Sequence, residues 1–138
     1  MALSPYARHY QTQSILTASP GQLVLMLYDG ALRFLAQAQA GFELPASDLS
    51  RIEKINTNIL RAEAILRELQ SNLDMERGGE LATNLNRLYD FHLEQLFRSN
   101  LRKDPAPLLE TERLLRSLRD GWAEMLQKQL NPDMASVA

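Results

Sequence analysis

The 138-residue chain is predicted to be all-α, an antiparallel up-down four-helix bundle preceded by an N-terminal extended or short-helical arm. Three observations carry that prediction. Apolar residues recur with alternating steps of three and four in four long segments. Serine, aspartate, proline and glycine punctuate the chain between those segments. No window alternates with period two for long enough to suggest a strand. Segments of roughly 20–26 residues span about 30–39 Å at ~1.5 Å per residue. Four such rods, joined by short connections, bury their stripes most simply against one another.

The first helix starts at Ser19-Pro20, where serine caps, proline fits the first helical position and Gln22 completes a capping box. It runs to about Gly41 with Val24, Leu27, Ala31, Phe34 or Leu35, and Ala38 on its seam. FELPAS (42–47) reads as a connection, after which Ser47 or Asp48 caps a second helix reaching about Leu73. Its seam is Ile52, Ile55, Ile59, Ala62, Leu66, Leu69 and Leu73. Gly78-Gly79 is the weakest helical point in the chain. A third helix follows from about Glu80 to Leu101, with Leu81, Leu85, Leu88, His92 and Leu96 inward, flanked by Ala82, Tyr89 and Leu93. Asp104-Pro105 repeats the cap-plus-proline signal. The fourth helix runs to about Leu130, with Leu108, Thr111, Leu115, Leu118, Trp122 and Met125 on its seam. The whole chain reads as one domain: arm 1–18, bundle about 19–130, tail 131–138.

Composition narrows the function. A formal net charge of -2 with both signs interspersed gives no reason for nucleic-acid binding. Cysteine is absent, which removes disulfides, thiol catalysis and Cys-based metal sites. The start MALSPYARHYQTQ lacks the apolar core of a secretory signal, and no run of 18 uncharged apolar residues offers a membrane span. The expectation is a cytoplasmic protein with no direct membrane insertion.

Catalytic chemistry finds little to work with. Of the two histidines, His9 lies in the arm and His92 on a helix seam, and neither follows a glutamate by three residues as a bundle di-metal site requires. His92 reads as a core or groove-lining imidazole bonded to a neighbour. Gly78-Gly79 follows no strand and is a helix junction, not a phosphate cradle. Glu110, Glu112 and Asp120 alternate with Arg113, Arg116 and Arg119, the pattern of a solvated face with i,i+3 and i,i+4 pairs. No catalytic, cofactor-binding or metal-binding residue is expected.

More apolar residues remain than one seam per helix can hold. By helical phase, Leu25, Leu32, Ala36, Leu49, Leu60, Ile65, Phe91, Phe97, Leu101 and Leu109 lie off their seams. A helix touching two neighbours has a widened stripe, which accounts for some of these. As a set they point to an exposed patch or groove, the usual mark of a partner surface. Leu60, Phe91, Phe97 and Leu109 are the candidates for partner contact on this reasoning. Tyr6, Tyr10, Ile15 and Leu16 make the arm amphipathic, and tethering gives it a high effective concentration at any nearby groove. It reads either as a lid over apolar surface or as an unstructured terminus.

Tyr10-Gln11, Ser14-Ile15, Thr17-Ala18-Ser19-Pro20 and Leu27-Tyr28-Asp29-Gly30 together resemble the N-terminal signature of the FliS-type flagellin export chaperones. The likeness continues through Gly78-Gly79-Glu80-Leu81-Ala82, Asn84-Leu85, Leu88-Tyr89-Asp90-Phe91, and Arg119 with Trp122, covering about residues 5–128 in order. The sequence departs from the family at Gly21, where glutamate is frequent, at Gly121, often alanine, and at His92, often apolar. The resemblance implies a cytoplasmic chaperone that binds the disordered C-terminal segment of flagellin, prevents its premature polymerisation and delivers it to a component of the flagellar type III export gate. It also implies an arm able to cover part of the client surface, with Tyr10, Ile15 and Thr17 carried over as the tail and Tyr28 as part of the signature, all four as partner-binding candidates. The other reading of Tyr28, as of Trp122, is a structural anchor at a bundle end. No cofactor is implied, and without its client the protein is expected to be a monomer or weak homodimer. The alternative is a homo-oligomeric bundle scaffold, in which the spare apolar residues pair with a second copy.

Overall fold

The computed structural model describes residues 19–130. The arm, with Tyr10, Ile15 and Thr17, and the tail 131–138 lie outside the described residues. Four helices follow in order: α1 (Pro20–Phe42), α2 (Arg51–Ser71), α3 (Gly79–Arg102) and α4 (Pro105–Leu130). Helix α1 packs on α2 and α4, and α3 closes the ring by packing on the same two. Each helix therefore touches two sequence-distant or sequence-adjacent neighbours, running antiparallel to both.

Local chemistry explains most of the boundaries. Ser19 accepts from the Gln22 amide (3.2 Å) while the Gln22 side chain accepts from the Ser19 amide (2.9 Å), a complete capping box with proline at the first turn. Two residues suffice between α3 and α4. Lys103 adopts a left-handed conformation (φ 52°), Asp104 bonds the Ala106 amide (3.0 Å), and Pro105 restarts the helix. At the other junction Gly79 has φ +54°, and a Cβ on Gly78 would lie 2.5 Å from Ala82 Cβ and 2.6 Å from the Asp74 carbonyl. Glycine is required at both places, for conformation at one and for space at the other.

Helix α2 starts later than predicted. The Asp48 carboxylate bonds Ser50 N (2.9 Å) and Ser50 Oγ (2.7 Å), closing a turn ahead of the helix instead of capping it. Ser50 becomes the flanking residue without a side-chain cap, and Leu49 is fully exposed.

The core contains Leu27, Ala31, Leu35 and Ala38 from α1, Ile55, Ile59, Ala62, Leu66 and Leu69 from α2, Leu96 from α3, and Leu108 and Leu115 from α4. Several predicted placements are corrected. Leu32 and Ile65, assigned to the outside by phase, are buried, because α1 and α2 are each covered on two sides and their apolar stripes widen accordingly. Leu81 and Ile52, assigned to seams, are exposed in the first turns of their helices. On α3 the inward line is Ala82, Tyr89, His92, Leu96 and Ser99, with Leu85 only half-buried. On α4, Leu126 takes the inward place expected of Met125.

Polar contacts pin this arrangement. The Tyr28 and Tyr89 hydroxyls hydrogen-bond inside the bundle, joining α1 to α3 across its diagonal. Burial pushes both phenols up, so both stay protonated at any physiological pH. Arg119 Nε donates to Asp29 Oδ1 (2.7 Å), and Trp122 Nε1 donates to the Gly21 carbonyl (2.8 Å), fastening α4 to α1. A Cβ on Gly21 would lie 2.6 Å from Leu126 Cδ2, so this glycine lets the two helix ends close.

Two stability predictions follow from these contacts. Tyr28→Phe and Tyr89→Phe each destabilise by about 1–3 kcal/mol in urea unfolding, since each strands a buried hydroxyl, and the double variant loses less than the sum. An added Cβ at Gly121 meets nothing within 4 Å among the described residues. Gly121→Ala is therefore expected to raise stability by about 1 kcal/mol through helix propensity, read as a higher urea midpoint at unchanged slope.

Candidate functional site

With the core filled, several large apolar side chains stand outside it: Leu60 (48% exposed), Phe91 (40%), Phe97 (59%), Leu101 (70%) and Leu109 (42%). They do not converge on one groove. Asn56, Phe97, Asn100, Leu101 and Lys103 line a groove of roughly 330 Å³ between α2 and the C-terminal half of α3. Leu60 stands one turn along α2 from Asn56 and extends the apolar strip toward the middle of the bundle. Asn100 Nδ2 donates to Asn56 Oδ1 (2.8 Å), and Lys103 Nζ donates to Asn100 Oδ1. Toward the opposite end, Gln70 Nε2 joins the same helices by bonding Asp90 Oδ1 (2.7 Å) and the Asn86 carbonyl (3.3 Å). The α2–α3 surface is thus an apolar strip with polar ties at either end.

Leu109 lies elsewhere, between α1 and α4, among Gln39, Glu112, Arg113, Arg116, Ser117 and Asp120. That surface is mainly charged. The Arg116–Glu112 pair (3.3 Å) is of the expected i,i+4 kind, but Arg119 reaches across to Asp29 and Glu110 accepts from Gln95 (3.0 Å). Phe91 is six residues from Phe97 and so lies about 120° around α3 from it. Its ring sits 5.6 Å from that of His92.

Tyr28 is not on any of these surfaces. It is 3% exposed and its hydroxyl is bonded to Tyr89 in the interior, which is the structural one of its two expected roles. Sequence reasoning missed Asn56, Asn100 and Lys103. Asn100 and Lys103 are neighbours at the end of α3, but only the pairing of α2 with α3 brings Asn56 to them, and no spacing in the sequence marks it.

His92 is fully buried, as its seam position predicts, with Nδ1 3.4 Å from Thr111 Oγ1. Among the described residues Nε2 has no hydrogen-bond partner. Desolvation pushes the imidazole down to about 4 from its ordinary 6.5.

The class defined by this fold and surface is an antiparallel helical bundle that displays apolar side chains in its outer grooves. Among the described residues no group of three or more His, Cys, Asp or Glu is placed to hold a metal, and no helix is long and apolar enough to cross a membrane. The chain belongs to the FliS family: the family model described as flagellar protein FliS matches residues 2–129. It is 35% identical over 130 residues to the flagellar secretion chaperone FliS of Salmonella typhimurium, covering 94% of this chain and 90% of the relative. The flagellar secretion chaperone FliS of Bacillus subtilis is 33% identical over 126 residues, covering 91% and 89% of the two chains. That of Vibrio cholerae is 30% identical over 136 residues, covering 99% and 96%.

The geometry gives a physical role to much of the motif that carries the resemblance. Tyr28 bonds Tyr89, Asp29 bonds Arg119 and Trp122 bonds the backbone of Gly21. These residues hold the helices in register.

The buried imidazole makes acid stability testable. An unfolded chain protonates His92 near pH 6.5 and the folded chain only near 4. The unfolded state therefore binds more protons between those values. The contribution is complete above pH 6.5 and is lost as pH falls toward 4, by up to about 3 kcal/mol. His92→Met should flatten the pH dependence of the urea midpoint across that window relative to the unchanged chain.

Proposed function

We propose that this protein is a cytoplasmic export chaperone. It binds the disordered C-terminal segment of flagellin, prevents its premature polymerisation and delivers it to the flagellar type III export apparatus. The observation that carries this reading is the apolar strip of Leu60, Phe97 and Leu101, left outside a core already filled by other residues. Membership of the FliS family, with relatives that are flagellar secretion chaperones, supports a flagellar export client.

The physical logic is that of helix-in-groove or extended-segment recognition. A disordered segment must lose conformational entropy to bind, and burial of apolar side chains on the bundle offsets that cost. Each large side chain fully covered contributes roughly 1.5–3 kcal/mol. Several shallow sites spread over the outer grooves suit a chain that wraps, better than a compact ligand. Tyr10, Ile15 and Thr17 of the arm are proposed to cover part of this surface until the client arrives. Leu109 and Phe91, on other faces, are proposed as secondary contacts along the client's path. No nucleotide site is needed, because transfer to the export apparatus releases the client.

Co-expression with the organism's flagellin, followed by size-exclusion chromatography with light scattering, tests the reading. A soluble one-to-one complex is expected. An obligate dimer of the chain that takes up no flagellin would instead favour a homo-oligomeric scaffold. Phe97→Asp should weaken the complex about tenfold or more while moving the unfolding free energy by no more than about 0.5 kcal/mol, as suits an exposed side chain. Loss of the fold in that variant would contradict the placement of Phe97 outside the core.

A further inference from the structure

The groove between α2 and α3 runs out at the end of the bundle where α2 begins and α3 stops, and its chemistry changes there. Phe97 and Leu101 supply apolar contact, Asn56 and Asn100 supply amides, and Lys103 supplies an ammonium group. Asn100 is committed on both sides, to Asn56 and to Lys103, and Asn56 uses only its Oδ1 there, so among the described residues its –NH2 is available as a donor. Arg51, on the first turn of α2, is close enough to Lys103 for its charge, together with desolvation as the larger cause, to lower the lysine pKa. Arg51 donates to the Leu44 carbonyl (3.1 Å) and stacks 5.9 Å from the Phe42 ring centroid. Among the described residues, neither cation has a carboxylate within ion-pair distance, although Arg77, Arg98, Arg116, Arg119 and Lys128 each do. The positive end of α2 and the negative end of α3 lie side by side here, so the side chains decide the sign of the local field.

We propose that this end of the groove captures the free C-terminal carboxylate of a peptide whose last residues are apolar. This inference rests on the chaperone reading, and it identifies the part of the client that the α2–α3 groove holds. The carboxylate meets Lys103, the terminal main chain meets the Asn56 amide, and the adjoining side chains lie on Phe97 and Leu101. At roughly 330 Å³ the groove is at the small end of the range for ligand sites, the size for a chain end and not for a helix. A chain end also suits the place. A segment lying on Leu60 and Phe97 and continuing in this direction reaches the last turn of α3, where the helices that form the groove end. Unpaired positive charge beside an apolar strip is complementary to a chain whose only nearby charge is its own terminus.

The test uses the full chain and a synthetic peptide of the flagellin C-terminal segment, made once with a free carboxylate and once as the C-terminal amide, with affinities measured by calorimetry. Amidation is expected to weaken binding about tenfold, the scale of one charge-assisted hydrogen bond at a partly exposed site. Lys103→Met should weaken the free-acid peptide by the same factor and make the two peptides bind alike. Equal binding of acid and amide to the unchanged chain would overturn terminal capture while leaving the chaperone reading standing. An equal loss of both peptides in Lys103→Met would assign the ammonium to a side-chain carboxylate of the client and overturn it too. Failure of both peptides to bind the unchanged chain would overturn both readings together.

Discussion

A single pair of hydroxyls, Tyr28 against Tyr89, sets the rotation of α3 on which the whole outer surface depends. Seated inside the bundle, each phenol has the other as its hydrogen-bond partner among the described residues. Rotating α3 would strand both, at a cost of about 1–3 kcal/mol for each hydroxyl. That is large against the modest preference of leucine for one flank of a helix over another. With Tyr89 inward, Ala82, His92, Leu96 and Ser99 follow it into the bundle, and Phe97 and Leu101 are carried to the outside. Exposure of those two apolar side chains is therefore a consequence of how the core is specified. It is not slack in the packing.

The polar contacts divide the work of holding the bundle from the work of meeting a partner. Asp29–Arg119 and Gly21–Trp122 fasten α1 to α4, and the complete capping box at Ser19 fixes where α1 starts. These ties lie on one side of the molecule. The α2–α3 side is joined by the Gln70 and Asn56–Asn100 contacts near its two ends, with Leu60 and Phe97 between. A strip of that kind can be covered by an incoming segment without disturbing the core, because its exposed atoms contribute little to stability. His92 belongs to neither group. It is a buried base with one nitrogen unpaired among the described residues, and its effect is confined to the acid side of neutrality.

The helices were legible because their ends carry strong local chemistry. Ser19-Pro20 and Asp104-Pro105 act within a few residues of themselves, and the structure uses both as the sequence suggests. Asp48 was misread because the same carboxylate can cap a helix or close a turn, and Ser50 offered it two donors for the second. Phase arguments placed Leu60, Phe91, Phe97, Leu101 and Leu109 outside, as they are, but could not see that Leu32 and Ile65 face a second neighbour. Leu81 was assigned inward from leucine spacing alone, whereas Tyr89 decided the phase of α3. The groove itself was least legible. Asn56 and Asn100 meet across 44 residues of sequence, and nothing in the periodicity of either helix announces a polar pair between apolar flanks.

Amide hydrogen exchange of the full chain, alone and with the flagellin C-terminal segment bound, tests the central claim most directly. Added protection is expected along the outer strip around Leu60, Phe97 and Leu101, while the slowest amides around Tyr89, Leu96 and Ile59 keep their native pattern. Loss of protection at Tyr28 and Tyr89 on binding would mean that the client enters the bundle and rearranges its interior, contradicting a rigid core that presents a ready-made surface.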